Sequence, residues 1–167
     1  GFNGPLYFLI LRGWIHLAGT SEYALRFLSL MCGVLSVAVI MSLGTRLFNR
    51  AVGGIAGLLL ALSAYQVWYS QEARPYALLV FLSLLSLWLV QQLLEGRTNR
   101  WLRVGFVVST ALTFYCHTVG IAFIGFVGVL VLLAVPREKW KDWLGLFAAI
   151  ALLVAPAVYQ LVVTPPV

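Results

Sequence analysis

EYALRFLSLMCGVLSVAVIMSL, residues 22–43, carries no charged side chain after Arg26. A helix that crosses the hydrocarbon core of a bilayer needs ~20 apolar residues, within a range of about 17–25. This run meets that need, and the pattern repeats on its C-terminal side. Residues 52–68, 75–94, 101–117, 118–135 and 143–163 form comparable apolar runs. The stretch 101–135 is too long for one span, and His117-Thr118-Val119-Gly120 supplies a polar break with a glycine, so it reads as a hairpin. The expected fold is an all-α, polytopic transmembrane helical bundle with about six spans over residues 22–163.

Composition excludes most other classes. The 167 residues are 62% hydrophobic and 10% charged, with a mean hydropathy of +0.99. A soluble domain carries roughly a quarter charged residues, so this chain lacks the side chains to cover a water-facing surface. The net charge of +6 is not a nucleic-acid footprint, because the basic residues lie in short clusters between apolar runs. No nucleic-acid partner is expected; membrane lipids are. Cys32 and Cys116 fall inside apolar segments and read as buried, inert thiols. The chain does not begin with Met, and both ends read as truncations.

Loop charge gives an orientation. Arg46, Arg50, Arg97, Arg100, Arg103, Arg137, Lys139 and Lys141 fall on one side, against Arg12, Arg26 and Arg74 on the other. The positive-inside rule makes the first side cytoplasmic. Trp101, Trp140 and Trp143 then belong to the inner interface, and Tyr65, Trp68, Tyr69 and Tyr76 to the outer one. Residues 5–18 are too short to span. Arg12 and His16 share one helix face there, and the segment reads as an amphipathic helix lying in the outer interface. Ser21 is placed to cap the first span, with Glu22 at the positive end of its dipole. Gly53 and Gly57, four apart, suit a close helix–helix contact.

The six interiors hold no Asp, Glu, Lys or Arg apart from Arg26 and Arg103 near span ends. An ion-coupled transporter usually needs ionisable groups or broken helices near mid-depth. Polar chemistry collects instead at the outer ends, most densely in Tyr69-Ser70-Gln71-Glu72-Ala73-Arg74-Pro75-Tyr76. The bland reading of Glu72 and Arg74 is a surface ion pair in a tight loop. The sharper one is a site at headgroup depth, where the guanidinium fork suits a phosphate and the carboxylate binds an acceptor or metal or holds Arg74 in place. His117 reads as structural or as part of that site, and His16 as the polar face of its helix.

These residues also carry a resemblance. Asn3-Gly4-Pro5-Leu6-Tyr7, Ser21-Glu22-Tyr23-Ala24-Leu25-Arg26, Leu47-Phe48 with Val52-Gly53, and the stretch from Tyr69 to Tyr76 resemble bacterial membrane glycosyltransferases of the dolichyl-phosphate-mannose–protein mannosyltransferase type. That group belongs to the GT-C superfamily, alongside aminoarabinose transferases and related lipopolysaccharide glycosyltransferases. The resemblance implies a polyprenyl-phosphate-linked sugar donor, an acceptor that is a protein, lipid or glycan, and transfer on the periplasmic or exterior face of a bacterial plasma membrane. It implies that residues 1–167 are a fragment of a single transmembrane glycosyltransferase domain, inactive alone. The family's catalytic base lies in an earlier outer loop. Glu72 matches the second acidic position and is the catalytic candidate. Arg74 matches the arginine after it, and Tyr76, His117, Arg26 and Asn3 join it as candidates for donor phosphate or substrate binding. The sequence departs from the family at Gly4, often proline, and at Asn3, often His or Lys. A divalent metal is an open expectation, since Glu72 and His117 alone do not make a ligand set. The alternatives are a transporter or flippase of lipid-linked saccharide and a non-catalytic membrane subunit.

Overall fold

The computed structural model describes residues 4–97 and 99–163. Among them lie eight α-helices: α1 (Leu6–Ala18), α2 (Glu22–Leu47), α3 (Arg50–Leu62), α4 (Ala64–Ser70), α5 (Tyr76–Leu94), α6 (Arg100–Cys116), α7 (Gly120–Ala134) and α8 (Trp140–Val163). A short 3₁₀ turn, Arg137–Lys139, leads into α8. The Asn3 expectation falls outside the described residues.

The all-α expectation holds, but the count of six spans is corrected. Three helical stretches are long and apolar enough to cross a membrane: α2, α5 and α8 with its 3₁₀ turn. A fourth is obtained if α3 and α4, bent by 60° at their junction, are taken as one broken span. The reason is length. A helix rises 1.5 Å per residue, so α6 with 17 residues and α7 with 15 reach only about 26 and 22 Å, short of a core of about 30 Å. The break at His117 divides an apolar stretch into two arms, each too short. The sorting of loops to two ends of the bundle does not change with this correction, because a hairpin returns to the end it left.

The bend between α3 and α4 has its own sequence cause. Ser63 leaves helical geometry, and its side chain accepts from Gln66 N–H at 3.5 Å, starting α4 as an N-cap. Ser63-x-x-Gln66 is the pattern of a capping box, hidden in an apolar run. The reciprocal half is not made, since Gln66 turns into the bundle and its Nε2 is buried without a partner.

Helix packing in lipid gains little from hydrophobic burial and relies on small residues that let backbones approach. α3 packs on α2 in this way. A methyl group at Gly53 would strike Thr45 and the Met41 carbonyl, and one at Gly57 would strike the Met41 side chain. The expected glycine contact is therefore the α2–α3 seam. Buried hydroxyls tie other pairs together: Ser86 to Thr110 at 2.5 Å between α5 and α6, and Trp88 Nε1 donating to Ser42 Oγ at 2.9 Å between α5 and α2. The Tyr115 hydroxyl donates to Leu153 O at 2.7 Å, in the turn of α8 before Pro156.

Two apolar clusters form around α5 and α6. One joins them to α7 and α8 through Phe106, Val127, Ile150 and Trp143. Trp143 is buried edge-on against Phe106 at 5.9 Å, so its expected place in an interfacial belt is corrected: its face of α8 points into the bundle. The other cluster joins α1, α2, α5 and α6 through Tyr7, Cys32, Leu82 and Cys116. Both cysteines are free and buried, as expected. Sequence spacing gave no hint that they share one cluster.

α1 is anchored more firmly than its pattern suggested. Tyr7 is fully buried, donating to or accepting from Ser29 Oγ at 2.8 Å; burial pushes its phenol pKa up. Trp14 donates to Ala24 O at 2.8 Å and stacks on Phe27 at 5.4 Å. Arg12, His16, Phe8, Leu9 and Leu17 are exposed. Gly4 fixes the start of this element. Its N–H donates to Cys116 O at 2.9 Å, and a Cβ there would collide with the Tyr115 carbonyl. A proline here could neither donate that bond nor fit.

Candidate functional site

Three loops meet at the end of the bundle opposite the basic clusters. The first starts α2. Ser21 accepts from Ala24 N–H at 3.2 Å, which holds Glu22 at the helix start. Glu22 pairs with Arg26 one turn on, at 2.5 Å. The second is the link from α4 to α5. Pro75, with φ −69°, precedes the first residue of α5 and starts that helix sharply. The third is the α6–α7 turn, where His117 caps α6 in extended backbone.

The first two loops enclose an open groove of about 410 Å³, lined by Glu22, Arg26, Gln71, Glu72 and Arg74 among others. Glu72 is the best-held side chain in it. Its Oε1 accepts from Trp68 Nε1 at 2.9 Å, and its Oε2 lies 3.3 Å from Arg74 Nε. Its side chain is 29% exposed against 61% for Arg74, so the carboxylate is fixed and the guanidinium reaches outward. Among the described residues, Glu72 is the only carboxylate within 4.0 Å of Arg74. The groove thus holds two acids and two guanidiniums in two pairs at the mouth of an otherwise apolar bundle.

Three of the candidates from sequence, Glu72, Arg74 and Arg26, come together here. Tyr76 and His117 form a neighbouring aromatic group instead. Tyr69 lies at 4.7 Å from Tyr76 with the rings tilted by 43°, and Tyr76 lies 6.0 Å from the His117 ring. His117 Nδ1 accepts from Val119 N–H at 3.2 Å, a bond that shapes the α6–α7 turn. Sequence reasoning placed Glu22 as a cap and Trp68 in an aromatic belt; Glu22 also lines the groove, and Trp68 supports Glu72 in it. Their i, i+4 spacing, Glu22 to Arg26 and Trp68 to Glu72, was the available signal. Among the described residues no group of three or more His, Cys, Asp or Glu is placed to hold a metal ion.

A guanidinium at a lipid-facing groove can bind a phosphate, and a fixed carboxylate beside it can orient that guanidinium or receive a hydroxyl. The family model for dolichyl-phosphate-mannose-protein mannosyltransferase matches residues 3–159. The chain belongs to the dolichyl-phosphate-mannose-protein mannosyltransferase family. Membership in this mannosyltransferase family implies a glycosyltransferase that draws on a lipid-phosphate-linked sugar and delivers it to an acceptor. The match extends across all eight helices into α8, so the paired groove and the basic end both lie inside the family's shared region. No curated protein and no solved structure shows a significant match to the chain.

Proposed function

We propose that the chain forms the donor-binding part of a bacterial polyprenyl-phosphate-sugar glycosyltransferase acting on the non-cytoplasmic face of the plasma membrane. The observation that carries this reading is the groove itself: Arg26 and Arg74 line it together, each held by its own carboxylate. In this proposal Arg74 contacts the donor phosphate and stabilises the charge that develops as the glycosyl–phosphate bond breaks. Glu72 holds Arg74 in the empty groove and, once the phosphate has displaced it, meets the acceptor or the sugar. Arg26 with Glu22 lines the opposite side. Tyr76 and His117 border the sugar end, and the base is an acidic residue of an earlier outer loop in the full-length protein.

The energetic logic follows from the pairing. An exposed ion pair contributes little stability, at most about 1 kcal/mol. The singly charged phosphodiester of the donor, arriving at Arg74, therefore displaces Glu72 at small cost and frees the carboxylate for the acceptor; the second negative charge develops on the phosphate only as the glycosyl–phosphate bond breaks. The test is sugar transfer by the full-length enzyme carrying Arg74→Ala or Glu72→Gln. Loss of transfer in well-inserted variants supports the reading, and wild-type rates in both overturn it.

A further inference from the structure

We propose that the basic end of the bundle, remote from the Glu72 groove, carries a built site for an anionic phospholipid. This inference does not rest on the proposed function.

The loops at this end are drawn together by Glu95, which lies 3.5 Å from Arg46 and 3.7 Å from Arg97. Other cations there are occupied by aromatic rings: Arg100 lies 5.1 Å from the Trp101 ring centre, and Arg137 lies 5.8 Å from that of Trp140. Arg103 and Lys139 share with Arg50 and Lys141 the lack of a carboxylate or ring partner among the described residues, and differ from them in facing one cavity. Both line one cavity of about 130 Å³, together with Arg97, Asp142 and Trp143. Three cations from three separate elements, the α5–α6 loop, α6 and the 3₁₀ turn, converge on one space. Asp142 is the single acidic group on its wall and is outnumbered three to one.

A free anion would need only this cavity. The far side of Trp143 indicates a lipid. There, α7 and α8 leave a second groove of about 170 Å³, lined by Gly128, Val131, Leu132, Trp140, Leu144 and Phe147, beside the same indole. Its lining is almost wholly apolar, and the Trp140 nitrogen donates to Val135 O at 3.1 Å. There is room in it beside Gly128, where a methyl would meet only the Phe147 ring, at 3.8 Å. A cationic cavity and an apolar groove flanking one buried tryptophan, at the end of a membrane-crossing helix, match a phosphate headgroup and an acyl chain in charge and polarity.

The experiment uses the full-length protein in detergent micelles with radiolabelled phosphatidylglycerol, followed by co-purification of lipid with protein. Binding should saturate, and phosphatidylcholine with the same chains and inorganic phosphate should compete at least about tenfold more weakly. Each cation at a surface of this kind is worth about fivefold in affinity, so Arg103→Gln and Lys139→Gln should each weaken binding by about that factor. Lys139 is exposed on its short turn, so its variant tests the site without disturbing the core. Asp142→Asn should leave affinity equal or higher. Gly128→Leu should fill the apolar groove and weaken phosphatidylglycerol binding. Arg50→Gln, at the same end but outside the cavity, should change affinity less than twofold. Equal losses from Arg50→Gln and Arg103→Gln would reduce the site to diffuse surface attraction and overturn the proposal. So would equal competition by inorganic phosphate, or unchanged binding in Lys139→Gln.

Discussion

The two ends of this bundle handle charge in opposite ways. At the Glu72 end, Glu22 holds Arg26 and Glu72 holds Arg74, so two acids neutralise two guanidiniums around an open groove. At the basic end, eight cations face three acids, and Glu95 is shared between Arg46 and Arg97. Among the described residues Arg50, Arg103, Lys139 and Lys141 lie within 4.0 Å of no carboxylate, and two of them, Arg103 and Lys139, face a smaller cavity. The difference teaches what each end suits. A paired guanidinium must exchange its carboxylate for an arriving phosphate, which allows release and turnover. A surplus cation binds an anion without giving anything up, which favours lasting occupancy.

The sharpest way to break this comparison is to remove the exchanging cation. Arg74→Ala should lower transfer by about a hundredfold, the usual cost of losing one preorganised charge stabiliser, in a donor-saturation assay of the full-length enzyme. Arg103→Gln should stay within about twofold of wild type in the same assay. Equal losses would mean that the ends are not separate in function. Glu72→Gln should lower kcat by about tenfold yet also lower the donor KM, because Arg74 is no longer held by a competing carboxylate. A raised KM would show that Glu72 positions Arg74 and does not compete for it.

Next in size is the seam that keeps the two ends apart. Gly53→Leu should overpack the α2–α3 contact and cost about 2 kcal/mol, read as a lower unfolding midpoint in detergent. Tyr7→Phe removes the bond to Ser29 and leaves a buried hydroxyl single, at about 1 kcal/mol. Glu22→Gln is expected to be the smallest change, about 0.5 kcal/mol or less, since an exposed i, i+4 pair is screened.

Much of this was legible before any tertiary structure. Apolar runs such as residues 27–45 and 76–94 announce helices because no charged residue interrupts them, and Ser21 marks a start because its hydroxyl satisfies a free N–H. The span count was less legible. Ser63 and His117 are single polar residues in apolar runs, and whether such a residue bends, ends or merely decorates a helix depends on what it meets. Ser63 met Gln66 N–H and bent the path; His117 ended α6 and left two short arms.

The sequence by itself determined the class of the molecule, the helices, and the sorting of charge to two ends. Those follow from local chemistry: apolar length, caps and the cost of charge in lipid. Only the tertiary structure decided which charges meet. It placed Glu22 and Arg26 across from Glu72 and Arg74, buried Trp143 instead of leaving it in a belt, and gathered Arg97, Arg103 and Lys139 from three elements into one cavity. Such meetings depend on how α2, α5, α6 and α8 pack, and packing is a property of many residues at once that no single motif spells out.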